Sequence, residues 1–253
     1  MLNNQVVFIS GSSRGIGSAI AHLLAEQGAT LILNASTSIN DAQKTCEELP
    51  SPHDQKHFLI PGDMGNPSDI EKIFKEIQNK IGRLDVLVNN AATTQFIKHD
   101  DLEALNIDLM DKMYQVNLRG AFLCIKHAFP LLKEASLKKN SPSHIVNIAS
   151  TAALTGMGSN VMYCALKAGL VNMTQSLARA LAPHVLVNAI SPGLVETELT
   201  KSWKEYHQDH IKKTPMGRLA TPIDIAKGTL ALVSGFSHVT GHNIVIDGGR
   251  LLN

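Results

Sequence analysis

The 253-residue chain is poor in cysteine, poor in aromatics and almost without net charge. Its three cysteines, Cys46, Cys124 and Cys164, are scattered and odd in number, with no Cys-x-x-Cys pair. That pattern builds neither a disulfide framework nor a zinc site, and no bound metal is expected. Lys and Arg total 23 against 22 Asp and Glu, so no global field draws the chain to nucleic acid or to an anionic membrane. No apolar run approaches the roughly 18 residues that a membrane span needs. The opening Met-Leu-Asn-Asn-Gln has no basic n-region, and the apolar run behind it ends at Ile9, too short for a secretory signal. These absences leave a cytoplasmic globular protein as the expectation. Low-complexity tracts, long charge runs and solenoid-period repeats are missing as well. With 44% hydrophobic and 18% charged residues, the chain can bury a large core without staples.

What is present is an alternation. Short β-branched runs at Val6–Ser10, Thr30–Asn34, Lys56–Ile60, Val86–Asn89, His144–Ile148, Leu186–Ile190 and Asn243–Asp247 read as seven strands. Several are apolar on both faces, the mark of a parallel sheet covered on both sides. Between them lie helical patterns at Ile16–Gln27, Asp41–Leu49, Ser68–Asn79, Leu109–Leu132, Val161–Leu181 and Ile223–Val233. Gly28 stands where a helix C′ glycine belongs, and Pro222 at a helix start that needs no N–H. Strand–helix alternation throughout predicts an α/β fold: a Rossmann-type, doubly wound parallel sheet of about seven strands with helices on both faces. No composition break divides the chain, so residues 1–253 read as one domain.

The first strand runs into Ser10-Gly11-Ser12-Ser13-Arg14-Gly15-Ile16-Gly17, and a helix follows. In this context Gly11, Gly15 and Gly17, with Ser13, Arg14 and Ile16 between them, bring backbone N–H groups and a helix N-terminus to a pyrophosphate. A cofactor with a free ribose 2′-hydroxyl meets a carboxylate about 20 residues later. Here the second strand ends at Asn34-Ala35-Ser36-Thr37. Arg14 with small hydroxyl residues suits a 2′-phosphate, which favours NADP(H) over NAD(H). Asp63 stands where an adenine amino group could find an acceptor.

Ser150 ends the fifth strand, Tyr163 follows thirteen residues later, and Lys167 lies four beyond that. The i, i+4 spacing puts Tyr163 and Lys167 on one helix face. A neighbouring ammonium favours the phenolate and brings the tyrosine toward acid–base work near neutral pH. Taken with the glycine loop, Asn89-Asn90-Ala91, Asn117, Ser191-Pro192-Gly193 and Ile246-Asp247-Gly248-Gly249, the whole chain resembles the short-chain dehydrogenase/reductase family. The resemblance implies that Tyr163 donates the proton to a substrate carbonyl, Ser150 hydrogen-bonds its oxygen, and Lys167 lowers the tyrosine pKa and holds the nicotinamide ribose. It implies that Asn117 anchors a proton-relaying water. It places Asn34, Asp63, Met64, Asn89, Ala91, Pro192, Gly193, Val195 and Thr197 about the cofactor. Ala92 departs from the glycine usual after Asn-Asn-Ala.

Val195-Glu196-Thr197-Glu198-Leu199-Thr200, Thr155-Gly156-Met157-Gly158 and the Arg14 loop look like the 3-oxoacyl-carrier-protein reductases. That likeness implies an NADPH-dependent homotetramer reducing a 3-oxoacyl thioester, with an acyl carrier protein as a candidate partner. The arginines that dock the carrier in that subgroup are missing before strands five and six. Lys133, Lys138 and Lys139 are the basic residues before strand five. Acetoacetyl-CoA-type substrates, other small alcohols, sugars or ketones therefore stay in contention. A rival of another class, a non-catalytic NADP-binding regulatory protein, is opposed by the complete Asn117, Ser150, Tyr163 and Lys167 set. His53 with His57 and His207 with His210 have spacings a metal could use, but no third ligand accompanies either pair. Residues 194–215, carrying Trp203 and Tyr206, read as a substrate lid. Met110, Met113 and Tyr114 read as packing.

Overall fold

Alternate residues of a strand face opposite sides of a sheet, and the first strand shows what that does here. In β1 (Val6–Ile9) all four residues are buried. Val7 and Ile9 enter one core layer and Val6 and Phe8 the other. The computed structural model describes residues 2–198, 200–201 and 203–252. Strands β2 (Thr30–Leu33), β3 (Phe58–Leu59), β4 (Val86–Asn89), β5 (Ser143–Ile148), β6 (Val185–Pro192) and β7 (Asn243–Ile246) complete one parallel sheet in the order β3-β2-β1-β4-β5-β6-β7. The order reverses between β1 and β4, the crevice where an open α/β sheet binds its ligand.

Helices α1 (Gly15–Glu26) and α9 (Pro222–Ser234) cover one face. Their Ile20, Leu24, Ile225 and Leu232 pack on Val7, Val86, Val146 and Ile190. Helices α3 (Pro67–Lys80), α5 (Ala121–Lys139) and α7 (Val161–Leu181) cover the other. There Ile70, Phe74, Ile125, Leu132 and Ala178 meet Phe8, Leu87 and Val187. The remaining helices are α2 (Ile39–Glu47), α4 (Ile107–Tyr114), the single-turn α6 (Ala152–Thr155) and α8 (Lys204–Lys213). Among the described residues no helix is long and apolar enough to cross a membrane.

Two elements differ most from the sequence reading. The helix expected over Leu109–Leu132 is interrupted by a π-helical turn at Gln115–Gly120, and it then runs on to Lys139 through Pro130. A side chain at Gly120 would strike the backbone around Met64, so the wide turn closes on the β3–α3 connection. The third strand is shorter than Lys56–Ile60 because the His57 side chain takes part in its pairing. The Leu31 N–H donates to His57 Nδ1 at 3.1 Å, and His57 Nε2 lies 3.1 Å from the Pro50 carbonyl. His57 is thus a neutral structural imidazole, its pKa lowered by burial. Finally, α9 opens with a capping box between Thr221 and Asp224. At the base of the sheet Asp85, fully buried, accepts from the Val6 N–H at 2.9 Å. It also pairs with Arg83 at 2.8 Å and Lys139 at 3.3 Å.

Candidate active site

A cleft of about 1060 Å³ runs along the carboxyl ends of the strands. That is at the upper end of the roughly 300–1,000 Å³ usual for ligand sites, enough for a dinucleotide and a small second molecule. Gly11 takes φ +64°, and a Cβ there would come within 2.9 Å of the Ala91 backbone. A Cβ on Gly17 would come within 2.7 Å of Asn90 Nδ2 and 2.9 Å of the Ser12 backbone. Only glycine lets this loop lie flat against β4. The loop is pinned from both sides. Asn90 Nδ2 donates to the carbonyls of Ser10 (3.1 Å) and Gly11 (2.7 Å), and the Asn34 N–H donates to Ser12 Oγ at 2.9 Å. No side chain caps α1, whose N-cap residue is Arg14. Its leading N–H groups therefore face the cleft with the helix dipole behind them.

Gly11, Ser13, Arg14, Gly15, Ile16, Asn34, Asp63, Met64, Ala91, Pro192, Gly193, Val195 and Thr197 all line the cleft. Asn89 and Gly17 do not. Asn89 is buried and turned into the sheet, donating to Asn147 Oδ1 at 2.9 Å, which continues to Thr174 Oγ1 at 2.9 Å. Its neighbour Asn90 is the one on the wall. Asn34 borders the cleft, but its side chain is committed to the fold, with Nδ2 donating to the Ile60 and Gly62 carbonyls, both at 3.1 Å. The groups exposed beyond β2 are Ser36 and Thr37, opposite Arg14, which no carboxylate of the described residues pairs. Asp63 Oδ1 accepts from the Gly65 N–H at 2.8 Å, and the Ala92 methyl is exposed on the wall.

Ser150, Tyr163 and Lys167 come together in the middle of the cleft. Tyr163 is set by the start of α7, where its N–H donates to Asn160 Oδ1 at 2.8 Å. Asn160 in turn donates to the Gln95 carbonyl at 2.8 Å. Asn160 is a positioning residue that the sequence reading missed; its signal is an N-cap asparagine just before a helical run. Lys167, buried, donates to the Ile148 carbonyl at 2.7 Å, and its Nζ lies 5.7 Å from the Tyr163 ring centre. Burial pushes the Tyr163 hydroxyl up to about 12, while the Ser150 hydroxyl beside it acts in the opposite sense. Burial brings Lys167 down to about 8. Asn117 lies in the π-helical turn, outside the cleft wall. Its amide clasps the Thr93 backbone, accepting from the N–H and donating to the carbonyl, each at 2.8 Å. A π-turn is common at functional sites, and this one seats the loop that follows β4.

Opposite Tyr163, Phe96 packs against Trp203 and Tyr206, with ring centres 5.7 and 4.7 Å apart. Both aromatics belong to residues 194–215, a loop followed by α8 that lines one part of the cleft; Leu199 and Ser202 of that segment lie outside the described residues. His207 is not paired with His210 about a metal, since its Nε2 lies 2.9 Å from the Thr200 carbonyl. No group of three or more His, Cys, Asp or Glu among the described residues could hold a metal ion.

A family model described as enoyl-(acyl carrier protein) reductase matches residues 11–250. The chain belongs to the short-chain dehydrogenase/reductase family. It is an oxidoreductase of CH–OH or ketone groups, in a family that binds a nicotinamide cofactor. This dehydrogenase/reductase is 36% identical over 253 residues to a 3-oxoacyl-(acyl-carrier-protein) reductase of Aquifex aeolicus, covering 98% of each chain. It is 34% identical to an NAD-dependent glycerol dehydrogenase of Listeria innocua, covering 98% of this chain and 94% of the relative. Among solved structures, a 3-ketoacyl-(acyl-carrier-protein) reductase from Brucella melitensis complexed with NADH superposes with a TM-score of 0.88 at 28% identity, covering 99% of each chain.

Proposed function

We propose that this dehydrogenase/reductase reduces a ketone with NADPH, and that a 3-oxoacyl thioester is its best-fitting substrate. The residues present fit the dinucleotide. The glycine cradle has no room for a Cβ at Gly11 or Gly17, and the uncapped N–H groups of α1 suit a pyrophosphate,. The observation that carries the choice of NADPH is Arg14, an exposed cation that no described carboxylate pairs, lining the same cleft as Ser36 and Thr37,.

When bound, the nicotinamide supplies the hydride. Ser150 donates a hydrogen bond to the substrate carbonyl oxygen. Tyr163 is protonated at neutral pH and gives its proton to that oxygen. Lys167, still largely an ammonium at pH 7, favours the phenolate that remains. Asn117, through its grip on Thr93, holds the wall opposite and supports a proton path to solvent. Exclusion of water by Phe96, Trp203 and Tyr206 strengthens each of these polar contacts.

A free thioester should serve as well as a carrier-bound one. Two of the three lysines before β5 are engaged, Lys138 with Glu134 at 2.7 Å and Lys139 with Asp85 at 3.3 Å, which leaves Lys133 to grip an acidic carrier there. We infer a homotetramer, supported by exposed apolar residues on α5 and α7 (Phe122, Val161) and on the edge strand β7 (Ile244, Val245). The Listeria relative supports a second reading, NAD-dependent oxidation of a small polyol.

Steady-state rates with NADPH and NADH on acetoacetyl-CoA, its carrier-bound form, ethyl acetoacetate and, in reverse, glycerol separate these readings. Arg14→Ala should raise the KM for NADPH about 10- to 150-fold, the value of a charge-assisted hydrogen bond, and leave NADH unchanged. Equal KM values for both cofactors in the parent protein would overturn the NADPH assignment. Acetoacetyl-CoA should be reduced within about tenfold of the carrier-bound form.

A further inference from the structure

The sheet order gives the cleft a direction. Arg14 stands beside β1 and β2, whereas Arg250 begins the 3-10 turn (Arg250–Leu252) just after β7, at the opposite edge. Ser150 and Tyr163 lie between them, on β5 and α7. Two strand spacings, about 10 Å, separate β5 from β7. A ligand lying with its adenosine at Arg14 and its nicotinamide at Tyr163 therefore points its reaction partner toward Arg250.

Arg250 lines the same cleft, and its Nε is buried with no hydrogen-bond partner among the described residues. No described residue forms an ion pair with its guanidinium. The nearby acid on the wall, Asp209, pairs instead with Lys213 at 2.8 Å. His210 stands on the same wall, its pKa lowered by burial and, next, by the charge of Arg250. An orphaned buried donor costs free energy unless something is built to meet it. Guanidinium is the side chain best shaped for carboxylate and phosphate.

We propose that Arg250 binds an anionic group carried by the substrate, so that the physiological ketone is an oxo compound with a carboxylate or phosphate within about 10 Å of its carbonyl. The proposal rests on the reading that Tyr163 serves a carbonyl; it does not depend on which cofactor is preferred, and where it holds, a compact oxo acid or oxo phosphate takes the place of the thioester as substrate.

The test uses matched pairs on the whole protein. Acetoacetate is compared with ethyl acetoacetate for a carboxylate, and dihydroxyacetone phosphate with dihydroxyacetone for a phosphate. At least one anion should be reduced with higher kcat/KM than its neutral partner. Arg250→Gln should raise the KM for that anion about 10- to 150-fold, leave its kcat nearly unchanged, and leave the neutral ketone unaffected. Arg250→Lys should recover part of the loss. The inference is overturned if neither anion is preferred, or if Arg250→Gln slows neutral and anionic ketones alike. If no ketone of the set is reduced with either cofactor, the reductase reading fails by itself. Equilibrium titration of acetoacetate and of inorganic phosphate into the cofactor-loaded parent and Arg250→Gln proteins then decides the anion site. Binding lost in the variant supports it, and equal or absent binding overturns it.

Discussion

Tyr163→Phe removes one hydroxyl and keeps the ring that α7 packs against the cleft. The structure says how much should be lost. In the absence of a cationic ring the phenol is held at about 12 and Lys167 at about 8, so at pH 7 the site holds a protonated tyrosine and an ammonium. Lys167 Nζ lies 5.7 Å from the centre of the Tyr163 ring, and an ammonium so placed favours the phenolate over the phenol. General acid catalysis is worth about 10²–10⁴ in rate. The Phe variant should lose that much kcat while binding NADPH nearly as well, since the glycine cradle and Arg14 are untouched. Lys167→Met should cost roughly 10²-fold, the lower end of what general acid catalysis supplies, by withdrawing the charge that favours the phenolate. In the parent protein, reduction should slow as pH rises through about 8, where Lys167 loses its proton. The Met variant should lack that limb. The assay is NADPH oxidation between pH 6 and 10, with cofactor binding followed by fluorescence titration. A Phe variant retaining more than about a tenth of the activity, or a Met variant with the parent's pH profile, would refute this account of the tyrosine–lysine pair.

Two further predictions concern stability. Asp85→Asn removes the charge that Arg83 and Lys139 share at the base of the sheet; breaking such a pair costs about 3–5 kcal/mol, the lower figure being expected because Arg83 is 40% exposed, and an unchanged urea midpoint would show the cluster to be idle. His57 and His144 are both held below their usual value by burial, His144 at about 4. The unfolded chain therefore binds more protons than the folded one between about 4 and 6.5. Stability should be complete above about pH 6.5 and fall as the pH drops toward 5, a window above most carboxylate titration; His144→Gln should flatten that slope, and a parent protein equally stable at pH 7 and pH 5 would contradict it.

The parts of this fold that were legible in the sequence are those decided locally. A glycine is demanded where the backbone of β1 turns under Ala91, whatever surrounds it. A Tyr and a Lys four apart share a helix face in any context, and a strand buried on both sides must be apolar throughout. The seven strands, the order of their helices and the Tyr163–Lys167 pair follow from such rules, whereas Ser150 joined that pair through the family resemblance. The π-turn at Gln115–Gly120 was not legible, because one extra residue in a turn leaves an apolar pattern that a regular helix also satisfies. The end expected at Leu132 came too early as well, since α5 runs on to Lys139 with Leu131, Leu132 and Ala135 buried.

The polar residues at strand ends make the same point at finer scale. Asn89 and Asn90 are chemically identical neighbours, yet a strand sends them to opposite sides. One is held by Asn147 on the adjacent strand and the other by the glycine loop. Nothing in either residue says which will face the cleft; the register between β4 and β5 decides. Asn34 shows the converse. It stands at the position where a cofactor-reading residue is expected, but the carbonyls of Ile60 and Gly62 arrive first and take its amide, so the groups left exposed beyond β2 are Ser36 and Thr37. Arg250 lies farther still from any local rule. Only the parallel placement of β7 beside β6 brings a residue near the carboxyl end of the chain to the cleft that Gly11 begins.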